Sequence, residues 1–272
     1  MMFRKIVAAV LPPIVVGALF LGLWELIVKA FDIKPFLLPA PSAIWAELID
    51  RSDDIIDATL NTGTNALVGL LFGVVFGVAM SFVLMRFQVA NELITPLAVA
   101  LNAIPIIVLV PVFNNMFSST TEVPRRLMVT LIVFFIVMVN VAKGLRQVSP
   151  THLELMRSYA ASPTSILVKT RIPNAVPYLF TALKISAPAA VITAFVAEYF
   201  GGRQNGLGYS ITSNAAASRN AASWAYVIGA CTLGLIFYLV SIGLEKTLSP
   251  SDGSTQARQQ QSGGLTPGGV TT

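Results

Sequence analysis

The sequence predicts an all-α integral membrane protein with six transmembrane helices. Hydrophobic residues make up 55% of the chain and charged residues only 11%, whereas a soluble domain carries about 25% charged residues. Uncharged runs recur along the chain, each near the roughly 20 residues that cross a bilayer core as a helix. The basic residues stand at the ends of these runs and form no patch, which argues against a nucleic-acid partner.

We expect residues 1–248 to form the membrane domain and residues 249–272 to be a disordered tail, because the tail is too polar to bury a core. The first span is too long for a signal peptide, and Val28-Lys29-Ala30 is a poor cleavage site, so we expect it to be retained. The predicted spans are residues 6–28, 62–85, 94–117, 126–144, 178–200 and 222–245.

The third span contains Pro96, Pro105 and Pro111. A membrane helix tolerates proline where neighbouring helices or a cavity satisfy the freed carbonyl groups. This span is therefore a candidate for lining a path through the membrane. Asn102 could line that path, or it could form a hydrogen bond between helices.

Gly69, Gly73 and Gly77 recur on one face of the second span. Small residues at this spacing allow two membrane helices to approach closely. The alternative is the ordinary glycine richness of membrane helices.

Residues 147–177 form the longest polar interruption of the chain and predict an elbow of two short helices. Ser149-Pro150 and Ser162-Pro163 are typical helix starts, with a capping serine before a proline. Pro173 and Pro177 are expected to end the second helix. The elbow could dock into a groove on another protein, or it could lie on the lipid headgroups.

Basic residues predict the orientation in the membrane. The segment from Lys143 to Arg171 is strongly basic and should be cytoplasmic, as should both termini, and the acidic loop after the first span should lie outside. The arginines that fit this rule poorly are Arg125, Arg126, Arg203 and Arg219.

The chain shows no catalytic or metal-binding motif. His152 and Cys231 are its only histidine and cysteine, which predicts no metal site. The phosphate-binding pattern G-x-x-x-x-G-K-[ST] is absent. If nucleotide hydrolysis drives this protein, another subunit performs it.

The elbow resembles the hallmark loop of the permease subunits of bacterial binding-protein-dependent ABC importers, E-A-A, three residues, G, nine residues, I-x-L-P. Glu154-Leu155-Met156 stands at the first three positions, Ala160 at the glycine, Thr170 at the isoleucine, and Ile172-Pro173 closes the motif. The glutamate, the spacing and the final proline match. Both alanines, the glycine and the isoleucine differ.

Further stretches are similar to the sulfonate, taurine, nitrate and thiamine-precursor group of these permeases. They are residues 38–42, 143–146, 173–178, 196–201 and 206–209. The resemblance implies the type I ABC importer fold, with the elbow between helices four and five.

The resemblance also implies the function: a permease subunit of the bacterial cytoplasmic membrane, with no enzymatic activity and no cofactor of its own. Partner ATPase subunits would bind ATP and Mg²⁺, a second copy of the chain would complete the path, and an extracytoplasmic binding protein would deliver a small polar or anionic solute. The residues expected to contact the ATPase are Glu154, Leu155, Met156, Arg157, Ser158, Tyr159, Ala160, Ala161 and Ser162. Those assigned to the path or external gate are Asn102, Pro105, Glu198 and Tyr209.

Glu198 ends the fifth span, and an ionisable group at membrane depth indicates a functional site. It could serve the external gate or contact the binding protein, or it could be an interfacial carboxylate paired with Arg203 or Arg219. Tyr209 could equally be an interfacial anchor.

Two other classes of protein are possible. A stand-alone secondary transporter or channel often shows inverted repeats and charged relays at the midplane, and the charges here cluster at span ends. An integral membrane enzyme would need a cluster of His, Asp or Cys near the membrane surface, which one histidine and one cysteine do not supply.

Overall fold

The computed structural model describes residues 2–248 except 88, 90–91, 95, 98–99 and 101–104. Of residues 2–10 and 106 it describes the backbone only. The part described is helical, with turns between helices. The helices are α1 Met2–Ala30, α2 Pro41–Asp50, α3 Ser52–Arg86, α4 Ile106–Phe117, α5 Val123–Arg146, α6 Pro150–Ser158, α7 Pro163–Ile166, α8 Ile172–Tyr199, α9 Leu207–Ala216 and α10 Asn220–Leu248, and a π-helical segment, Leu167–Arg171, joins α7 to α8.

Five helical runs of the described residues are long and apolar enough to cross a membrane. The predicted third span, 94–117, is described only in part, and α4 is a shorter apolar helix within it. Six spans therefore remain a prediction, and Asn102 and the predicted tail lie outside the described residues. The five runs are Leu11–Ala30, Ser52–Arg86, Val123–Arg146, Pro163–Tyr199 and Asn220–Leu248.

The core forms where α5 packs between α3 and α8. The glycines of α3 each meet a valine of α5: a Cβ on Gly73 would lie 2.5 Å from the Val133 Cβ, and one on Gly77 would lie 2.9 Å from the Val137 Cβ. Gly69 makes the same approach to Val129 one turn earlier. The pairs advance together by four residues, so the two helices run parallel, and the predicted close approach of two helices is confirmed.

Pro173 and Pro177 do not end the second elbow helix, contrary to the expectation. Instead the helical run continues from Pro163 to Tyr199. Pro173 stands just after the π-helical segment, where its missing amide hydrogen leaves one carbonyl of that segment without a helical donor. Pro177 lies inside α8, where it removes only one bond from a long packed helix.

Contacts between chain segments define two ends of the helix bundle. At one end, Arg146 Nη2 donates to the Leu84 carbonyl at 2.5 Å, and the elbow extends beyond it. At the other end, Asn220 Nδ2 donates to the Phe36 carbonyl at 2.6 Å. We call these the elbow end and the α9 end.

Helix α1 lies at the edge of the bundle, and only 6% of the residues in its most apolar stretch are buried. Its contacts to the other helices lie at the α9 end. There the Trp24 and Trp224 rings meet edge to face with centroids 5.5 Å apart, and Glu25 Oε1 accepts from Ser42 Oγ at 2.7 Å. Most of this helix therefore presents apolar side chains outward, as a lipid-facing span does.

Candidate functional site

The elbow consists of α6, a tight turn, α7 and the π-helical segment. Ser149 occupies the N-cap position of α6, with Pro150 as the first helical residue. At α7, the Ser162 hydroxyl accepts a hydrogen bond from the Ser165 amide at 3.2 Å. Both helix starts expected from the serine–proline pairs are therefore present, and the second has the capping bond.

The turn after α6 places Ala160 at φ +51°, in the left-handed region that favours glycine. The Ala161 amide donates to the Met156 carbonyl at 3.0 Å, and the Ala160 amide donates to the Arg157 carbonyl at 2.9 Å. These two bonds form a Schellman motif, the common helix ending that places glycine at this position. The backbone thus explains why the importer motif has glycine where this chain has Ala160.

The elbow presents an apolar and charged surface outward. Helix α6 has no buried residue, and Leu155 and Tyr159 are 52% and 77% exposed. Glu154 and Arg157 are exposed beside them, on a segment that is polar overall. Large apolar side chains exposed among charges are typical of a surface that binds another protein.

A second group of polar residues lies at the α9 end, where α3, the start of α5, the end of α8 and the loop before α9 meet. We call it the polar cluster. Its members are Thr62, Asn65, Glu122, Arg125, Arg126, Glu198, Arg203 and Asn205.

Glu198 lies beneath the first turn of α9 and is 2% exposed. Its Oε2 accepts from Thr62 Oγ1 at 2.8 Å and from the Gly208 amide at 3.1 Å. Thr62 Oγ1 in turn accepts from the Leu207 amide at 3.0 Å. The carboxylate and the hydroxyl therefore bind the free amides at a helix N-terminus, where negative charge is favoured.

Arg125 is the largest buried polar side chain of the cluster, with 1% exposure. Its Nη1 donates to Glu122 Oε2 at 2.9 Å and to Asn205 Oδ1 at 2.8 Å, and its Nη2 donates to the Arg203 carbonyl. Arg125 Nη1 also lies 3.9 Å from Glu198 Oε1. The guanidinium thus connects the start of α5, the end of α8 and the loop between α8 and α9.

The Glu122 carboxylate accepts hydrogen bonds from three side chains of the cluster. It accepts from Asn205 Nδ2 at 2.9 Å and from Asn65 Nδ2 at 2.8 Å, in addition to Arg125. Burial raises the pKa of the Glu122 carboxyl, but the Asn205 bond, the charge of Arg125 and the Asn65 bond outweigh it, so the pKa lies below its ordinary value. The carboxylate form is therefore the one that the fold stabilises.

The cation nearest Glu198 differs from the expected one. The cluster also contains Arg125 and Arg126, two of the arginines that fitted the topology rule poorly. Glu198 lies nearest Arg125, not Arg203 or Arg219. Arg126 Nε donates to Asn65 Oδ1 at 2.9 Å, so both arginines at the start of α5 bind protein groups. Because these arginines bind groups within the protein, they need not follow the rule that places basic residues on the cytoplasmic side.

Of the other described residues assigned to the path, Pro105 lies away from the polar cluster and Tyr209 lies beside it. Pro105 is exposed and stands immediately before α4, about 13 Å along that helix from Asn114 at 1.5 Å per residue. Asn114 approaches Gly201 near the polar cluster. Tyr209 is half-buried on the first turn of α9, beside Gly208. A common path through Pro105, Glu198 and Tyr209 stays a prediction.

Among the described residues, no three histidine, cysteine, aspartate or glutamate side chains are grouped so that they could hold a metal ion.

Sequence reasoning missed most of the polar cluster. Thr62 and Asn65 stand one turn apart within an apolar span, and this spacing was the available signal. Their partners are far away in sequence, since Asn65 binds Glu122 and Thr62 binds Glu198. Such pairs become visible only when the helices are packed.

The long apolar helices, together with the exposed elbow between two of them, define a multi-pass membrane permease. The family model for the binding-protein-dependent transport system inner membrane component matches residues 69–251. The chain belongs to this family, which makes it an ABC importer permease.

The chain is similar to several named permeases over most of its length. It is 29% identical to the formylaminopyrimidine transport permease protein ThiX of Halalkalibacterium halodurans over 73% of this chain and 79% of that protein. It is 26% identical to the bicarbonate transport system permease protein CmpB of Synechocystis, over 77% and 78%. With the taurine transport system permease protein TauC of Escherichia coli, identity is 23% over 88% and 89%.

The fold matches solved structures of the MetNI methionine ABC transporter in inward-facing conformations. One match has a TM-score of 0.63 at 16% identity and covers 74% of this chain and 99% of that chain. A second has a TM-score of 0.61 at 17% identity, covering 72% and 96%. The type I ABC importer fold expected from the sequence is therefore confirmed.

Proposed function

We propose that this chain forms the translocation path of an ABC importer of the bacterial cytoplasmic membrane. Two copies make the path, and both termini face the cytoplasm. Separate ATPase subunits bind ATP and Mg²⁺, dock on the elbow and drive the change between inward-facing and outward-facing states. A binding protein delivers the solute on the other side.

The exposed elbow is the observation that carries this proposal. Leu155 and Tyr159 expose apolar surface at the elbow end of the bundle. The segment from Lys143 to Arg171 at this end is basic. The Schellman turn at Ala160 has the backbone form for which the importer motif uses glycine. A docked ATPase would cover this surface and transmit its motion through residues 154–162.

For the solute we propose a small polar or anionic molecule. The permeases similar to this chain are named for formylaminopyrimidine, bicarbonate and taurine transport. Radiolabelled forms of these three compounds are the probes for uptake into proteoliposomes that contain the purified complex and ATP.

The test of the proposal is purification of the tagged full-length chain from its native membranes, followed by assay of ATP hydrolysis. Wild type should co-purify with an ATPase. Glu154→Lys and Tyr159→Ala should lose it, since each changes an exposed elbow side chain. The matched control is Lys34→Glu, an exposed charge reversal at the α9 end.

Two results would contradict the proposal. Uptake without any associated ATPase would indicate a secondary transporter or channel. Unchanged ATPase association in both elbow variants would show that the elbow is not the docking surface.

A further inference from the structure

The two ends of the elbow are bound to each other by side chains of the π-helical segment and of α8, which meet the end of α5. Arg171 Nη1 donates to the Leu145 carbonyl at 2.9 Å. Asn174 Nδ2 donates to the Gly144 carbonyl at 2.7 Å and to the Gln147 carbonyl at 3.3 Å. The last carbonyls of a helix have no intrahelical donor, so these side chains satisfy the end of α5 and hold α8 against it. We call this set of contacts the elbow joint.

The backbones of the two helices are also in direct contact at the elbow joint. A Cβ on Gly144 would lie 2.8 Å from the Tyr178 ring and 2.9 Å from the Ala175 Cα, so only glycine fits there. Tyr178 then donates its hydroxyl hydrogen to Gln147 Oε1 at 2.9 Å. Polar bonds and close packing therefore coincide within two turns of helix.

The elbow beyond this joint is held much less firmly. Neither α6 nor α7 has a buried residue. The chain returns to α8 through the π-helical segment Leu167–Arg171, where the Ile172 amide bonds to the Leu167 carbonyl. A π-turn is a wider, less regular turn that often marks a functional position. The elbow is thus an exposed arm whose two ends leave from one tightly bonded point.

We propose that Asn174, with Arg171 and Tyr178, positions the elbow so that a displacement of the arm moves α5 and α8 together. Asn174 is the central residue because its one amide group binds two carbonyls of the α5 end. Without this tie, the arm can pivot at the π-helical segment while the spans stay in place. This role rests on the proposed function, since it requires an ATPase that moves the elbow.

The test uses the full chain with its ATPase in proteoliposomes and one spin label per chain. Cys231→Ser removes the native thiol, and Ala216→Cys provides a labelling site that is exposed at the α9 end. The distance between labels on two copies is measured without nucleotide and after trapping with ATP and vanadate. Wild type should show an ATP-dependent shift in this distance.

Asn174→Ala should keep the ATPase bound and hydrolysing ATP, while the shifted population falls about tenfold, as expected for loss of two hydrogen bonds. Tyr178→Phe, which loses a single hydroxyl, should show a smaller loss. Asn140→Ala is the matched control, because Asn140 Nδ2 donates to the Ile136 carbonyl of its own helix and, within the part of the chain that the structure describes, to no other helix. It should leave the shift unchanged.

The possible failures are distinguishable. A normal shift in both Asn174→Ala and Tyr178→Phe overturns the positioning role and leaves the proposed function intact. Parallel loss of ATPase binding, hydrolysis and shift in both variants also overturns it, because that pattern indicates general destabilisation. A wild-type complex without any ATP-dependent shift overturns the proposed function, and this role with it.

Discussion

At the start of α9, the Glu198 carboxyl group occupies the space that a side chain in place of Gly206 would need. A Cβ on Gly206 would overlap the Glu198 carboxyl group, and one on Gly208 would meet the Phe195 carbonyl and lie 2.8 Å from the Glu198 Cβ. The Gly206-Leu207-Gly208 sequence therefore follows from the presence of a buried glutamate beneath the helix. This relationship gives Glu198 a structural contact with the start of α9.

Gly206→Ala should lower the free energy of unfolding by about 1–3 kcal/mol, since the added methyl group overlaps a buried carboxylate. Denaturant titration in mixed micelles measures this change. Gly234→Ala is the control, because a Cβ there meets no described residue within 4 Å. Equal stability of the two variants would contradict the packing described at α9.

Arg125→Met should cost about 3–5 kcal/mol, because it removes the cation nearest the buried Glu198 carboxylate and, among the described residues, leaves Glu122 with the cation of Arg203 alone. The same titration applies, and Arg219→Met provides an exposed arginine at the same end of the bundle for comparison. If both variants unfold at the same denaturant concentration, the polar cluster does not hold α5 and α8 together.

Gly73→Ala should destabilise the α3–α5 pair by about 1–3 kcal/mol, because the methyl group would push the two helices apart. A Cβ added at Gly243 meets none of the residues that the structure describes within 4 Å, so Gly243→Ala should be neutral or stabilising by up to about 1 kcal/mol from helix propensity. A Gly73→Ala protein as stable as Gly243→Ala would mean that the helices are not in direct contact.

Ala160→Gly should stabilise the elbow turn by roughly 1 kcal/mol, since glycine carries no penalty in the left-handed conformation. The readout is amide hydrogen exchange across residues 150–166 in the full chain. Ala161→Gly, one residue beyond the positive φ, should accelerate exchange instead. The opposite order would contradict the Schellman turn.

Stability should fall as the solution is acidified below about pH 4.5, the ordinary pKa of glutamate, because Glu122 has a lowered pKa in the fold. Its contribution is fully present above the unfolded-state pKa and is lost as pH falls through the folded-state pKa. Glu122→Gln should flatten this part of the pH profile in thermal unfolding. An unchanged acid slope in that variant would assign the effect to other carboxylates.

The membrane class, the long helices and the elbow could be predicted from the sequence, because each depends on the residue types of one contiguous segment. Uncharged runs define spans, and serine–proline pairs define helix starts. The glycine triplet on α3 predicted a close helix contact, and the structure supplied its partner, the valines from Val129 to Val137.

The prolines of the elbow show where local rules failed. Pro173 and Pro177 were expected to end a helix, but Pro173 follows a π-turn directly and both prolines lie within a continuous helical run to Tyr199. Local rules describe one helix at a time and do not include the packing of α8 against α5. That packing stabilises a helix that proline alone would interrupt.

The sequence by itself determined that this protein has membrane-spanning runs and a polar elbow, and its motifs resemble those of importer permeases, since hydropathy and motifs are properties of contiguous residues. Only the tertiary structure decided that Glu198 lies beside Arg125 and that Asn174 binds the end of α5. Those contacts join residues that are distant in the chain, and their geometry depends on how the helices pack.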